Sequence, residues 1–265
     1  MTTIAEKNAC YLFGVIPMEQ WEQAAALDLP RGFMPRGELR AIEFEELDLV
    51  AVAEPTEQAL WVGPEAEEKL KEVKWVGPRA MVHHEVVDEL HRQVGVIYPT
   101  NLGTIYSDRE ALRRDLKGRK EALDAYFSQT QGRDQYTLKG LIPRRVDKRS
   151  TLEEGEGGGK DYLKRRQRSR RQGLDMEALQ ADAQQLAACM ERWIEARQVD
   201  RGAAPKEQDK RRLFCWHVLV DRSCEDGLAE DLAKLAPSLS DALELDIVGP
   251  LVPYQFRPRE MEEQR

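Results

Sequence analysis

The chain of 265 residues has no window approaching the roughly 20 apolar residues that a membrane-spanning helix requires. It also has no surplus of positive charge. Forty Lys and Arg stand against 48 Asp and Glu, a net charge of -8, which speaks against general affinity for nucleic acid. Its four cysteines, Cys10, Cys189, Cys215 and Cys224, are scattered and form no CxxC pair. That spacing excludes a zinc ribbon or a disulfide framework and points to reduced thiols. The opening "MTTIAEKNACYLFGVIP" carries an apolar run too short for a secretion signal, so a cytoplasmic protein is expected. No GxSxG elbow and no HExxH pair occurs, and "GEGGGK" (155–160) lacks the GxxxxGK[ST] pattern of a phosphate loop. No catalytic, cofactor-binding or metal-binding residue is therefore assigned.

What the chain does have is charge and short apolar runs. Charged residues make up 33% and hydrophobic residues 41%, enough for a globular core under a wet surface. "CYLFGVI" (10–16) reads as a buried strand ending at Pro17, and "ELRAIEFEELDLVAVAEP" as two strands with a turn near Glu45–Glu46. Met81, Val82, Val86, Val87, Leu90 and Val94 recur at helical steps, predicting a helix over 79–93 that Gly95 ends. "VIYPTNLGTIYS" follows as an interrupted strand. A helix capped by Ser107 or Asp108 comes next, with Leu112, Leu116, Leu123 and Phe127 on one stripe, and "QYTLKGLIP" closes the half as a strand.

This order approximates a βαββαβ split unit with a degraded first helix. The expectation is an α+β protein of two domains. Residues 1–132 form a modified ferredoxin-like sheet with helices on one face. Residues 133–265 form a smaller α/β unit with a long helix over 160–198 and flexible loops at 143–160 and 198–211. Leu179, Ala183, Leu186, Met190 and Trp193 mark the packed seam of that helix. "LFCWHVLV" (213–220) reads as a buried strand, 225–235 as a short helix and "LDIVGPLVPYQF" (245–256) as a final buried strand stiffened by prolines.

Two charged constellations stand out. The pair His83–His84 with His91 invites a metal test, and His84, Asp88 and His91 fall on one helical face at ligand-like spacing, but no fourth ligand accompanies them and a solvated face is the better reading. In "KDYLKRRQRSRRQG", Lys164, Arg165, Arg166, Arg168, Arg170 and Arg171 cluster within a few turns. They are candidate contacts for an anionic partner, a protein in preference to RNA, or a solvated helix end balanced by nearby glutamates.

Four stretches carry a resemblance. The ending, with Gly249, Pro250, Pro253, Tyr254 and Phe256, resembles the GP-x-PPY-x-F strand of the gas vesicle protein L/F family (GvpL/GvpF). "YLFGVI" is similar to that family's opening strand. The His-led helix before Pro99, Gly103 and Thr104 is similar to its centre, and Tyr162, Leu163 and Arg166 match its Tyr-Leu-x-x-Arg helix. Thr100 and Asn101 stand where the family usually shows an apolar-arginine pair, and no role resting on that arginine carries over.

The resemblance implies a non-enzymatic accessory or minor component of gas vesicle assembly. Its implied partners are the gas vesicle shell protein (GvpA-like) and other accessory proteins, with no cofactor and no membrane. Two readings from the residues alone stand beside it: a small-molecule-binding or regulatory α/β module, and an RNA-binding protein acting through the Arg-rich helix 160–171.

Overall fold

The computed structural model describes residues 9–24, 29, 31–33, 39–143, 175–200, 202 and 210–258. The chain divides into two compact units. Residues 1–135 together with 250–265 form the first, and residues 136–249 form the second. The division differs from the expected cut at 132/133 because the tail returns to the first unit. Val252 and Phe256 are buried, and Val252 joins that unit's core.

In the first unit, β1 (Cys10–Pro17) lies inside an antiparallel sheet of order β2-β3-β1-β4, with β2 at Arg40–Phe44, β3 at Leu49–Pro55 and β4 at Tyr98–Pro99. The two-residue β5 (Ile105–Tyr106) also pairs with β1, at Cys10 and Tyr11. A short helix α1 (Met18–Gln23) follows β1. The turn between β2 and β3 is a single 3-10 turn, Glu45–Leu47, closed by Asp48 in the left-handed region.

Cross-strand partners share a face of a sheet. Leu12 opposes Ala53 and Val15 opposes Ala51, which in turn opposes Ile42. Gly14 opposes Val52 and Ile16 opposes Val50 on the other face. A bulge between Leu12 and Gly14 switches the parity. Tyr11, Phe13 and Ile16 consequently enter one core with Val86, Val87 and Leu90.

Helix α3 runs Val73–Val94, six residues longer at its start than predicted, after α2 (Pro64–Lys71). Pro78 is tolerated in its second turn, and Gly95 caps it at φ 88°. The stripe expected as one helix is two, α4 (Arg109–Gly118) and α5 (Lys120–Thr130), broken at Gly118–Arg119. Asp108 is the cap of α4, its carboxylate accepting from the Ala111 amide at 2.7 Å. Leu116 and Leu123 line one cavity together with Leu12 and Val15. The sheet therefore carries α3 on one face, as the one-sided layout expects, and α4 and α5 on the opposite face as well.

The second unit has its own sheet, of order β7-β8-β6-β9: β6 (Arg133–Pro143), β7 (Ile194–Val199), β8 (Lys210–Asp221) and β9 (Glu244–Leu251). Trp216, Val218 and Val220, alternating along β8, pack with Leu186 and Met190 of α6 (Met176–Met190) and Leu228 of α7 (Glu225–Leu235). The predicted long helix ends at Met190. Residues 194–199 are an edge strand paired with β8, because alternating IEARQV suits a one-sided strand better than another helical turn. The final strand differs too: β9 is largely exposed, Ile247 and Val248 included.

Candidate functional site

Three stretches distant in sequence converge in the first unit, around the loop 99–104. Thr100 is buried, and its hydroxyl donates to Leu12 O at 2.6 Å while its amide donates to Phe13 O at 3.1 Å. The β1 bulge is thereby tied to the loop. His83 of α3 is buried with Nε2 3.1 Å from Thr100 O. A carbonyl only accepts, so Nε2 carries the proton and Nδ1 is the acceptor. The Tyr11 hydroxyl donates to that Nδ1 at 2.8 Å and accepts from the Gly103 amide at 3.1 Å. Gly103 turns at φ 87°, in the region that favours glycine, and this aims its N–H at Tyr11.

Burial sets the electrostatics of this chain of bonds. Desolvation pulls the His83 pKa down to about 4, assisted by the positive field of His84 and Arg257, so the ring is neutral at pH 7. Desolvation pushes the Tyr11 hydroxyl well above its ordinary range. Around it Phe13, Phe33 and Trp61 pack tilted or edge-on, with centroids 4.7–4.9 Å from that of the Tyr11 ring. The arrangement locks a conformation. With its histidine ring closed on both sides, it has no free base to offer a substrate.

The C-terminal stretch meets the same loop. Pro253 O accepts from the buried Tyr126 hydroxyl at 3.2 Å, and the Gln255 amide donates to Gln135 Oε1 at 3.0 Å. Phe256 is buried and Tyr254 packs against the core. Arg257 closes the junction. Its Nε donates to Tyr254 O at 3.1 Å and its Nη1 to Asn101 Oδ1 at 2.9 Å and Pro99 O at 3.3 Å. The aromatics of the ending therefore serve packing in the first unit, while Gly249, in the second, lets its strand lie against the Tyr136 ring.

Beside this junction, between β1 and the pair α4–α5, is a cavity of about 320 Å3. Its floor includes Leu12, Val15, Leu116 and Leu123, and Thr100, Asn101, Asp115, Arg119 and Arg257 stand in its wall.

The same unit offers an open sheet edge. Among the described residues no strand pairs the outer side of β2. Arg109 of α4 donates through Nη2 to Glu43 O at 2.8 Å. Backbone N–H and C=O of one residue point the same way in an antiparallel strand. Glu43, and Ala41 two residues before it, therefore turn their groups to that edge. Val62, Leu70, Val73 and Met81, all in the segment leading through α2 into α3, are exposed, Val73 at 83%.

Comparison with known proteins now decides the family. The profile of the family described as "Gas vesicle synthesis protein GvpL/GvpF" matches residues 9–258. The chain belongs to this family. With membership comes a gas-vesicle-related role.

Solved structures agree at the level of fold. The crystal structure of the gas vesicle protein GvpF from Anabaena sp. PCC7120 superposes with a TM-score of 0.66 at 11% identity, covering 95% of this chain and 96% of that one. That of GvpF from Microcystis aeruginosa gives 0.62 at 11% identity, covering 94% and 99%. No curated protein sequence matches the chain. No helix among the described residues is long and apolar enough to cross a membrane.

The family-signature residues Pro99, Gly103, Thr104, Pro250, Pro253, Tyr254 and Phe256 thus lie in the first unit, and Gly249 in the second. Tyr162, Leu163, Lys164, Arg165, Arg166, Arg168, Arg170 and Arg171 fall outside the described residues. Of the weighed histidine face, His84 and Asp88 are exposed while His91 is buried, its Nε2 2.6 Å from Asp134 Oδ1.

The sequence did not reveal the roles of three features. His83 was legible as a core position, since it precedes Val86, Val87 and Leu90 by three, four and seven residues on one helical face. Arg257 follows the signature and carries no pattern of its own. Asp200, Cys215 and His217 place ligand-type atoms within 4.8 Å of one another in the second unit. Burial raises the Cys215 pKa and lowers that of His217. Arg212 seats Nη1 on Asp200 Oδ2 at 2.7 Å, however, putting a guanidinium where a cation would need that carboxylate.

Proposed function

We propose that the protein assists gas vesicle assembly as a non-catalytic cytoplasmic component that binds the gas vesicle shell protein through its first unit. The observation carrying this is the β2 edge, which no described strand pairs, with the outward backbone groups of Ala41 and the outward amide of Glu43, whose carbonyl Arg109 holds, in a unit that also exposes Val62, Leu70, Val73 and Met81. An edge of this kind accepts an extended segment as an added strand, the backbone giving affinity and side chains giving selection. Exposed apolar side chains suit a partner that is itself apolar and prone to aggregate. The tight junction of Tyr11, His83 and loop 99–104 keeps the sheet rigid behind that edge, which limits the ordering cost of binding. The arginine run 164–171 serves a second contact, with an acidic accessory partner.

The test is capture of shell protein from cells making vesicles, using the full chain. Ala41→Pro removes an outward N–H without disturbing the β2–β3 ladder, and Val73→Asp with Met81→Asp charges the apolar surface. Both variants are expected to lower capture severalfold while the fold persists. Neutralising the six basic residues from Lys164 to Arg171 is expected to leave it unchanged. Contacts mapped wholly to residues 136–249 contradict the reading.

A further inference from the structure

The β2 edge is not left bare. Arg109 opens α4, directly after the Asp108 cap whose carboxylate accepts from the Ala111 amide at 2.7 Å. The cap fixes where the helix starts, and with it the root of the Arg109 side chain. That side chain reaches β2: Nη2 donates to Glu43 O at 2.8 Å, and the guanidinium carbon lies 5.3 Å from the centre of the Phe44 ring. Ala41 and Glu43 each turn one N–H and one C=O to the edge, so one of those groups is already taken.

Arg109 and Arg113, one turn apart on α4, are held in different ways. Arg113 pairs with Glu46 in the β2–β3 turn and with Glu110 at 3.5 Å. Arg109 binds a neutral carbonyl, and among the described residues no carboxylate pairs with it. A guanidinium–carboxylate pair has an attraction between two charges that a carbonyl contact lacks. The Glu43 contact is therefore the easier of the two to give up. The Arg113 pair and the buried Leu112 and Leu116 keep α4 in place when it opens.

An unpaired edge is a template for any extended chain, and a charged side chain laid across it is one of the ways folds protect it. A strand added to β2 meets this side chain at Glu43. It must either forgo the bond to Glu43 O, which leaves its own amide there without an acceptor, or push the guanidinium out into water. We propose that Arg109 is a displaceable guard of the β2 edge, withholding the Glu43 carbonyl from weak pairing and releasing it to a strand that makes the remaining bonds. The inference rests on the β2 edge being the binding surface and names the contact that regulates it.

The experiment is capture of shell protein from cells making vesicles by increasing amounts of the full chain, with bound shell protein quantified. Five proteins are compared: the unsubstituted chain, Arg109→Ala, Arg113→Ala, Ala41→Pro, and Ala41→Pro combined with Arg109→Ala. Arg109→Ala is expected to lower the half-capture concentration about fivefold, the worth of one net hydrogen bond. The double variant is expected to lose that gain, since Ala41→Pro removes an N–H that the strand needs. Arg113→Ala, which takes away the same charge one turn on, is expected to capture as the unsubstituted chain does. Amide exchange of β1, alike in all five, shows that the fold is kept.

Capture by the unsubstituted chain with no gain in Arg109→Ala overturns the guard and leaves binding at the edge intact. An equal gain in Arg113→Ala traces the effect to charge and also overturns the guard, as does a gain that survives Ala41→Pro. Capture that Ala41→Pro alone does not lower contradicts the edge itself, and the guard falls with it. No capture by the unsubstituted chain or by Arg109→Ala overturns both.

Discussion

Acidifying the protein tests the buried histidine directly. His83 has its pKa pulled from the ordinary 6.5 down to about 4 in the folded state, first by desolvation. Its folded pKa is depressed, so between those two values the unfolded chain takes up the proton while the folded chain does not. Stability is therefore whole above pH 6.5 and drains away as pH falls toward 4. At 1.36 kcal/mol for each pKa unit, the span corresponds to about 3 kcal/mol at its lower end. The ring is only 4% exposed, so solvent screening does little to reduce this. The structural reason is that protonating Nδ1 turns the acceptor of the Tyr11 hydroxyl into a second donor. The assay is amide hydrogen exchange of β1 peptides at pH 7, 6, 5 and 4.5, for the unsubstituted chain and for His83→Gln. The wild-type curve is expected to fall steeply below pH 6.5 and the variant, weaker at pH 7, to fall less. Parallel curves would refute the claim that His83 carries this dependence.

Two substitutions probe the same junction. Tyr11→Phe leaves the His83 Nδ1 acceptor and the Gly103 amide without their hydroxyl partner, and should cost about 1–3 kcal/mol in urea unfolding. Gly14→Ala places a Cβ 2.5 Å from Ile97 Cδ1 and 2.9 Å from the Tyr98 carbonyl oxygen. The backbone oxygen cannot swing aside, so a loss of about 1–3 kcal/mol is expected, with a correspondingly lower melting temperature.

Legibility followed the strength of local patterns. The runs at 10–16 and 213–220 were visible because β1 is buried along almost all of its length and β8 buries Cys215, Trp216 and Val218 to Val220, and α7 matched its predicted limits of 225 and 235. The break between α4 and α5 was not visible, because Leu116 and Leu123 keep the helical step of seven across Gly118. Strand β7 was hidden for a related reason: Trp193 continues the seam of Leu186 and Met190, although the helix has already ended. In β9 the apolar letters Leu245, Ile247 and Val248 suggested burial, whereas its edge position leaves two of them exposed. The signature of the ending was readable as residues but not as a place. Only folding brings Arg257 to Pro99 and Asn101, more than 150 positions earlier. Nothing local in the sequence encodes a cavity assembled from β1, the 99–104 loop, α4, α5 and Arg257.

Cutting the chain at the unit boundary is a poor way to locate the shell-protein contact, because Val252 and Phe256, at the far end of the sequence, are buried with the first unit. Hydrogen exchange of the full chain, with and without purified shell protein, is the more direct measurement. Binding at the β2 edge predicts slowed exchange at the amides of Ala41 and Glu43, accompanied by protection within 62–81 and none in β8 or β9. Protection confined to residues 136–249, with β2 unchanged, would contradict the account.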